Sequence, residues 1–318
     1  MTSLSPVVSV VIPVFNGARF VRSAIESVFA QTHRPIEVIV VDDGSTDDSV
    51  EVIAPFDEVI LLRQQNRGVG AARNRAIERS TGEFIAFLDQ DDWWFPDKLK
   101  QQLDVFAQDE RIGLVHTAVS YFNDASGRFV GLLNPEAHTD ELIDECFDRL
   151  ILGNGLYNSS VAVRRSLLSK VGTCDLSIPG NTVQDYDLWL RCARTSRFGH
   201  LKTALTVLRL HPRQGLWDRV AMLSAELELL LRHRPFSEWL RTPERRQRLA
   251  RLHDALAVAY LDSGDGKNAR THFAQAWQAA PSGRQLFRWG ASLLPRFAIE
   301  TFRGGSAAKC QRNSQGVS

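Results

Sequence analysis

The chain has 318 residues, of which 44% are hydrophobic and 24% charged, and this composition excludes a disordered or fibrous protein. Its length exceeds one average domain, so we expect a large domain over residues 1–211 and a smaller one over residues 212–318. The second part carries 17 basic against 9 acidic residues and the first 21 against 28, and an acidic first part argues against nucleic-acid binding.

Short β-branched runs alternate with helix-period segments over the first 90 or so residues, which is typical of βαβ units. We predict strands at 7–12, 36–41, 59–62 and 84–88. Helices are predicted between the first two strands, over 69–79, and over 96–106. This pattern favours an open, mostly parallel sheet flanked by helices.

The middle of the chain mixes element types. We predict a strand at 112–120, a turn at 123–127, a helix at 141–152, a strand at 160–164, a helix at 185–194 and a last strand at 207–210. Beyond Pro212 the β-branched residues thin out, so we expect an all-α extension. Within it, residues 250–281 resemble one helix pair of the tetratricopeptide type.

Two acidic clusters directly follow predicted strands. Asp42 and Asp43 come after the second strand, and Asp89-Gln90-Asp91-Asp92 comes after the fourth. In an open parallel sheet this edge is where ligands bind. Crowded carboxylates raise one another's pKa, and a divalent cation removes that cost. Oxygen ligands suit Mg²⁺ or Mn²⁺, which bind through one or two carboxylates plus substrate phosphates.

The segment between the two clusters has the residues of a phosphate site. Arg67, Arg73 and Arg75 can approach phosphate or ribose oxygens, while Gly68 and Gly70 let the backbone come close. The glycine spacing imitates a dinucleotide-binding fingerprint, but Arg73 stands where the third glycine is required. A metal-bound diphosphate is the ligand that these residues fit.

Several strings of the chain occur together in a known family. VSVVIPVFNG (8–17), VVDDGSTDD (40–48), GAARNRAIERSTGEFIAFLDQDDWW (70–94), VAVRRSLLSKVG (161–172) and QDYDLWLR (184–191) resemble the family 2 glycosyltransferases, which have the GT-A fold. The resemblance covers residues 6–211. It implies an inverting enzyme that moves a sugar from a nucleotide diphosphate donor, which we expect to be a UDP-sugar, to an acceptor hydroxyl. The acceptors expected are surface polysaccharide, a lipid-linked glycan or a protein.

The resemblance also implies roles for donor-side residues. Asp43 would support the turn after the second strand. Asp91 would be the direct ligand of Mn²⁺ or Mg²⁺, with Asp89 nearer ribose or water, and His211 is a further candidate at the metal or diphosphate. The implied nucleotide-binding residues are Pro13, Phe15, Asn16, Asp42, Arg73 and Asp89.

On the acceptor side, Asp185 matches the family's general base, and its alternative role is a helix N-cap. Gln184 departs from the family's usual Glu at this position. Asp89 and Asp91 match the family's D-x-D sequence. Trp93 and Trp94 follow it closely, so we assign Trp93, Trp94 and Gln184 to an acceptor or sugar pocket. Packing in the core is the alternative for both tryptophans.

Two alternatives to the transferase remain. One is a catalytically silent scaffold that binds a partner through the C-terminal helices, with Gln184 as a sign of site decay. The other is nucleotidyl transfer, but the Gly-rich, Lys-containing N-terminal loop of that class is absent. Release of a nucleoside diphosphate, of pyrophosphate or of neither distinguishes the three.

Location is predicted from cysteine usage and hydropathy. Cys146, Cys174, Cys192 and Cys310 lie far apart, the N-terminus has no signal pattern, and no apolar run reaches the length of a membrane span. We therefore expect a cytoplasmic protein. The basic tail at 286–302 is expected to pack against the first domain, and the alternative is peripheral contact with the inner face of the membrane.

Overall fold

A computed structural model describes residues 6–132, 141–143, 146–178, 183–212 and 218–282. The chain divides into two compact units between Leu216 and Trp217. The predictions for the tail at 286–302 and for Cys310 lie outside the described residues. Among the residues that are described, no helix is long and apolar enough to cross a membrane.

The first unit is built on one sheet with the strand order β3-β2-β1-β4-β9-β6-β10-β5, while β7 pairs with β6 and β8 with β10. Strands β3, β2, β1 and β4 are parallel neighbours, and β6 and β10 are parallel to each other on the far side of antiparallel β9. This arrangement confirms the open, mostly parallel sheet. The strands are β1 (Val8–Val14), β2 (Ile36–Asp42), β3 (Val59–Arg63), β4 (Phe84–Phe87), β5 (Trp93–Trp94), β6 (Ile112–Asn123), β7 (Arg128–Leu132), β8 (Glu141–Ile143), β9 (Val161–Arg164) and β10 (Arg197–Leu210).

Helices cover the sheet and close its core. On α1, Val21, Ile25 and Val28 share one helix face and are buried in the same core cluster as Val10 and Ile12 of β1. The helices of this unit are α1 (Val21–Phe29), α2 (Ser49–Ile53), α3 (Val69–Arg79), α4 (Lys98–Phe106), α5 (Cys146–Leu152), α6 (Arg165–Val171) and α7 (Gln184–Ala193).

Two elements differ from the sequence prediction. The single helix predicted over 141–152 is wrong, because residues 141–143 form β8 and pair with Phe198, Gly199 and His200 of β10, and α5 begins only at Cys146. The last strand has 14 residues instead of the predicted four. It pairs with β6 along its length, with register shifts that interrupt the alternation by which a strand is recognised.

The second unit is helical, with α8 (Arg219–His233), α9 (Phe236–Trp239), α10 (Pro243–Asp262) and α11 (Gly266–Ala279). Thr242 caps α10 by accepting from the Arg245 backbone nitrogen, and Asp265 caps α11 by accepting from that of Asn268. Phe273 of α11 and Leu256 of α10 are buried. These two helices occupy the stretch where a tetratricopeptide-like pair was predicted.

Neighbouring residues of α1 allow a matched test of this core. We expect Ile25→Ala to lower the free energy of unfolding by about 2–5 kcal/mol, because the buried side chain leaves a cavity. Glu26→Ala removes an exposed ion pair with Arg22 at 3.8 Å. We expect it to change the free energy of unfolding by no more than about 0.5 kcal/mol. Urea denaturation measures both. Equal losses would contradict this packing of α1.

Candidate active site

The candidate site lies at one edge of the sheet. Strands β1, β2, β4 and β10 run in the same direction, so the residues that follow them meet at that edge, and β1 separates β2 from β4. A 3₁₀ turn, Asn158–Ser160, reaches the same edge because it precedes the antiparallel strand β9. Asp42, Asp89, Asp91 and His211 all lie at this edge, and among them Asp91 and His211 are in contact.

Arg73 lies between two carboxylates. Its Nη2 donates to Asp89 Oδ1 at 2.8 Å, and the same oxygen accepts from Asn158 Nδ2 at 2.9 Å. Burial alone would lower the pKa of Arg73, but Asp89 and Asp185 raise it above its usual value. The guanidinium is therefore a permanent charge that links the D-x-D sequence to the candidate base.

Asp91 pairs with His211 across the edge of the sheet. Its Oδ2 lies 3.0 Å from His211 Nε2, and the imidazole ring packs on Phe20 at 4.6 Å between centroids. Burial, and then the charge of Asp89, raises the pKa of Asp91, and His211 only partly offsets this. The raised pKa marks negative charge that lacks full compensation from the protein.

A divalent cation fits this pair. A carboxylate oxygen and an imidazole nitrogen lie side by side, and a bound cation would remove the electrostatic cost at Asp91. Within the described part of the chain, no three His, Cys, Asp or Glu side chains are grouped to hold a metal. The remaining ligands would therefore come from substrate phosphates and water, as is common for Mg²⁺ and Mn²⁺.

Asn158 and Ser159 bind residues 89–92, which we call the acidic loop. The sequence analysis missed this role. Ser159 Oγ donates to Asp92 Oδ2 at 2.5 Å and accepts from the Asp89 backbone nitrogen at 3.0 Å. Burial, followed by the charges of Asp91 and Asp89, raises the pKa of Asp92 well above its usual range. Asp92 is therefore a structural acid beneath the D-x-D sequence.

Arg209, also missed, fixes the loop from the other side. Its Nε donates to the Asp91 carbonyl at 2.9 Å, its Nη1 to Asp124 Oδ1 at 2.9 Å and its Nη2 to Ser23 Oγ at 3.2 Å. Its guanidinium also lies 4.6 Å from the ring centroid of Trp93. A basic residue within a strand gives no local signal of such a role.

The two acids after β2 have different surroundings. Asp43 accepts from Gln64 Nε2 at 2.7 Å and from the backbone nitrogens of Arg67 at 2.9 Å and Gly68 at 2.8 Å. It thereby holds the loop before α3, whereas the family resemblance implies that it supports the turn after β2. Asp42 is also buried, but its Oδ2 accepts no hydrogen bond and lies 3.6 Å from Arg63 Nε. This oxygen is a buried acceptor whose charge is paired with Arg63.

The three predicted residues around the end of β1 differ in exposure. Pro13 is buried within the strand, whereas Phe15 is 44% exposed beside the candidate site. Asn16 adopts a left-handed φ of 50°, and its Oδ1 accepts from the Thr46 backbone nitrogen at 2.8 Å. Phe15 and Asn16 therefore border the edge that holds Asp42, and Pro13 supports them.

Asp185 lies in the first turn of α7. Its side chain is half-buried, and Oδ1 accepts from the Tyr186 backbone nitrogen at 2.8 Å. Burial raises the pKa of Asp185, and the nearby Arg73 acts against that rise. Val183 is the N-cap of α7 and Asp185 is the second residue of the helix, so the alternative role of Asp185 as the N-cap is wrong, and its electrostatic link is to Arg73 on the donor side.

Two residues assigned to the acceptor pocket are covered instead. Trp94 is buried, its Nε1 donates to the Ser159 carbonyl at 2.7 Å, and Lys98 Nζ lies 3.9 Å from its ring centroid. Gln184 is 2% exposed and packs against Gly70. The expectation that they line an open pocket is corrected accordingly, while Trp93 remains half-buried near Arg209.

Comparisons with known proteins identify the family of the chain. The model of the family described as Glycosyl transferase family 2 matches residues 9–167. The chain belongs to this family. An uncharacterized glycosyltransferase of Rickettsia prowazekii is 30% identical over 66% of this chain and 66% of its own length. The putative teichuronic acid biosynthesis glycosyltransferase TuaG of Bacillus subtilis is 38% identical over 33% of this chain and 43% of its own.

Solved structures show the same fold. The crystal structure of S. aureus TarS 1–349 has a TM-score of 0.62 at 17% identity and covers 94% of this family 2 chain and 91% of its own. The mannosyltransferase PcManGT of Pyrobaculum calidifontis, in complex with GDP-Man and Mn²⁺, has a TM-score of 0.55 at 20% identity, covering 92% and 81%. The chain spans about two thirds of the Rickettsia prowazekii relative and 31% of one from Rickettsia bellii.

Two arginines that bind Asp124 differ in burial and provide a matched pair. We expect Arg209→Lys to lower the free energy of unfolding by about 1–3 kcal/mol, because one ammonium cannot replace the guanidinium bonds to Asp91, Asp124 and Ser23. Arg19→Lys, at a side chain 70% exposed, is expected to cost less than about 1 kcal/mol. Hydrogen exchange at residues 89–92 should rise only in Arg209→Lys; a rise in both would refute the special role of Arg209.

Proposed function

We propose that the chain is an inverting, metal-dependent glycosyltransferase that moves a sugar from a UDP-sugar to an acceptor hydroxyl. The observation that carries this proposal is the position of Arg73 between Asp89 of the D-x-D sequence and Asp185. Arg73 thus connects the edge of the sheet where nucleotide and metal would bind with Asp185, a carboxylate suited to act as a base. Membership in family 2 agrees with it.

The donor nucleotide would bind along the edge after β1 and β2. The buried Asp42 Oδ2 is an acceptor for a uracil N–H or a ribose hydroxyl, and Phe15 and Asn16 border the nucleoside. TarS has been solved in complex with UDP and with UDP-GlcNAc, each at a TM-score of 0.57. PcManGT binds GDP-Man, so UDP is a choice that the experiment below must test.

Asp91, with His211 beside it and Asp89 nearby, would hold Mn²⁺ or Mg²⁺. When bound, the cation supplies Lewis-acid stabilisation of the charge that builds on the departing diphosphate. Arg73 holds Asp89 in place and adds a fixed positive charge on the same side. The 3₁₀ turn and Arg209 keep the acidic loop rigid while charge shifts across it.

Asp185 would take the proton of the acceptor hydroxyl. As that oxygen bonds to the anomeric carbon, the bond from this carbon to the diphosphate oxygen breaks on the opposite face, so one displacement inverts the configuration. Burial raises the pKa of Asp185 and makes its carboxylate a stronger base, whereas the charge of Arg73 acts against the rise and favours the ionised form.

The acceptor is proposed by class. The relative TuaG is named for teichuronic acid biosynthesis, which favours a surface polysaccharide over a lipid-linked glycan or a protein. We assign residues 1–211 to catalysis. Residues 212–318 would contact the acceptor, a partner or the membrane, through the surface of the helices of the second unit. We place the protein on the cytoplasmic side of the membrane.

Substitution of two acids separates binding from chemistry. We expect the wild type to bind UDP more tightly with Mn²⁺, and Asp91→Asn to lose that Mn²⁺-dependent gain because a carboxylate ligand is removed. Asp185→Asn should still bind UDP but release it from UDP-GlcNAc about 10²–10⁴-fold more slowly, because the base is absent. Calorimetry and a UDP-release assay measure the two effects.

Asp104→Asn, at an exposed acid on α4, is the matched control and should change neither quantity. Replacing UDP-GlcNAc by UDP-glucose, UDP-galactose or GDP-mannose tests the choice of donor. Pyrophosphate as the product would indicate nucleotidyl transfer. A wild type that binds no nucleotide with Mn²⁺ and turns over none of these donors would refute the transferase.

A further inference from the structure

One face of α3 lies against the region that carries Asp185. Gly70, Arg73 and Asn74 stand at positions i, i+3 and i+4 of the helix, so their side chains share a face. Each of the three interacts with α7 or with the loop before it. Arg73 is the electrostatic partner of Asp185.

The first contact is steric. A Cβ placed on Gly70 would lie 1.9 Å from Gln184 Oε1 and 2.7 Å from its Cδ. The amide of Gln184 therefore occupies the space that any larger side chain at position 70 would need. Gln184 is the first residue of α7, so a larger side chain at position 70 would have to displace this buried amide one residue before Asp185.

The second contact is a reciprocal pair of hydrogen bonds. Asn74 Nδ2 donates to the Cys174 carbonyl at 2.9 Å, and Asn74 Oδ1 accepts from the Cys174 backbone nitrogen at 2.8 Å. The side chain thus binds both polar groups of one residue across 100 positions of the chain. Cys174 is buried, and burial raises the pKa of its thiol to about 11, so this neutral side chain adds no charge near α3.

We propose that this face of α3 is a positioning surface, on which Gly70 and Asn74 set the location of the first turn of α7 and hence of Asp185 relative to Arg73. The same helix carries the arginine that binds Asp89. One helix, α3, therefore contacts both Asp89 on the donor side and the region that carries Asp185. The inference rests on the proposed function only in taking Asp185 as the base.

This proposal assigns Gln184 a role that the family resemblance did not imply. An uncharged amide packs against Gly70 next to the cationic Arg73 and the carboxylate of Asp185 without adding a further negative charge. In this proposal Gln184 is a positioning residue, which is a different role from the sign of site decay considered above. Its substitution alone should matter less than a clash introduced at Gly70.

The test uses the full chain and four variants: Asn74→Ala, Gly70→Ala, Gly70→Ala with Gln184→Ala, and the control Glu78→Ala at an exposed position of α3. Hydrogen exchange is followed at the amides of residues 186–189. UDP binding with Mn²⁺ and UDP release from UDP-GlcNAc, with water as acceptor, are measured in parallel. The exchange measurement needs no nucleotide.

Asn74→Ala and Gly70→Ala should raise exchange at 186–189 and slow turnover by about 10- to 100-fold, since small displacements of a reacting group are costly. Asn74→Ala should leave the Kd for UDP within about twofold, because the donor side is intact. Adding Gln184→Ala to Gly70→Ala removes the clashing atoms and should restore much of both exchange protection and turnover. Glu78→Ala should match the wild type.

Unchanged exchange in both single variants, or raised exchange with normal turnover, would overturn the inference. So would a double variant no better than Gly70→Ala. A wild type without UDP binding would instead refute the proposed function, and the exchange data would still decide whether this face of α3 holds α7. If Asn74→Ala fails to fold, the comparison of Gly70→Ala with the double variant Gly70→Ala, Gln184→Ala decides the outcome.

Discussion

Repulsion among carboxylates is the constraint on which this site depends. Two acidic clusters follow β2 and β4, strands that β1 separates, and within the second cluster burial and the charge of Asp89 raise the pKa of Asp91 and of Asp92. The protein neutralises most of these carboxylates itself: Asp43 accepts three hydrogen bonds, Asp89 binds Arg73, and Asp92 is buried with Ser159. The pKa of Asp91 stays raised despite its contact with His211, so a cation bound there would add stabilisation.

Much of this was accessible from the sequence. The βαβ periodicity predicted the first four strands, and because parallel strands share an edge, the acids that follow them could be assigned to one site. Boundaries such as those of α3 were correct because a helix of regular period is bounded by Gly68 and Ser80. The family resemblance added roles that periodicity does not carry, including that of Asp185.

The remainder depended on distant partners and on side-chain direction. Asn158 and Arg209 bind acids 69 and 118 positions away, and no local pattern signals such bonds. Trp93 and Trp94 were assigned together, but successive residues of a strand point to opposite faces, so one of them enters the core. Gln184 was assigned to a pocket from its place beside Asp185, although its side chain turns toward α3.

The buried side chain of Asn158 has a consequence for producing this protein in other hosts. Asn158-Ser159-Ser160 reads as an acceptor sequence for N-linked glycans, which attach to the asparagine Nδ2. In the folded chain that nitrogen is committed to Asp89, and the residue is 6% exposed. A secretory host that modified the chain before folding would place an oligosaccharide inside the acidic loop, so expression without glycosylation is required for a native site.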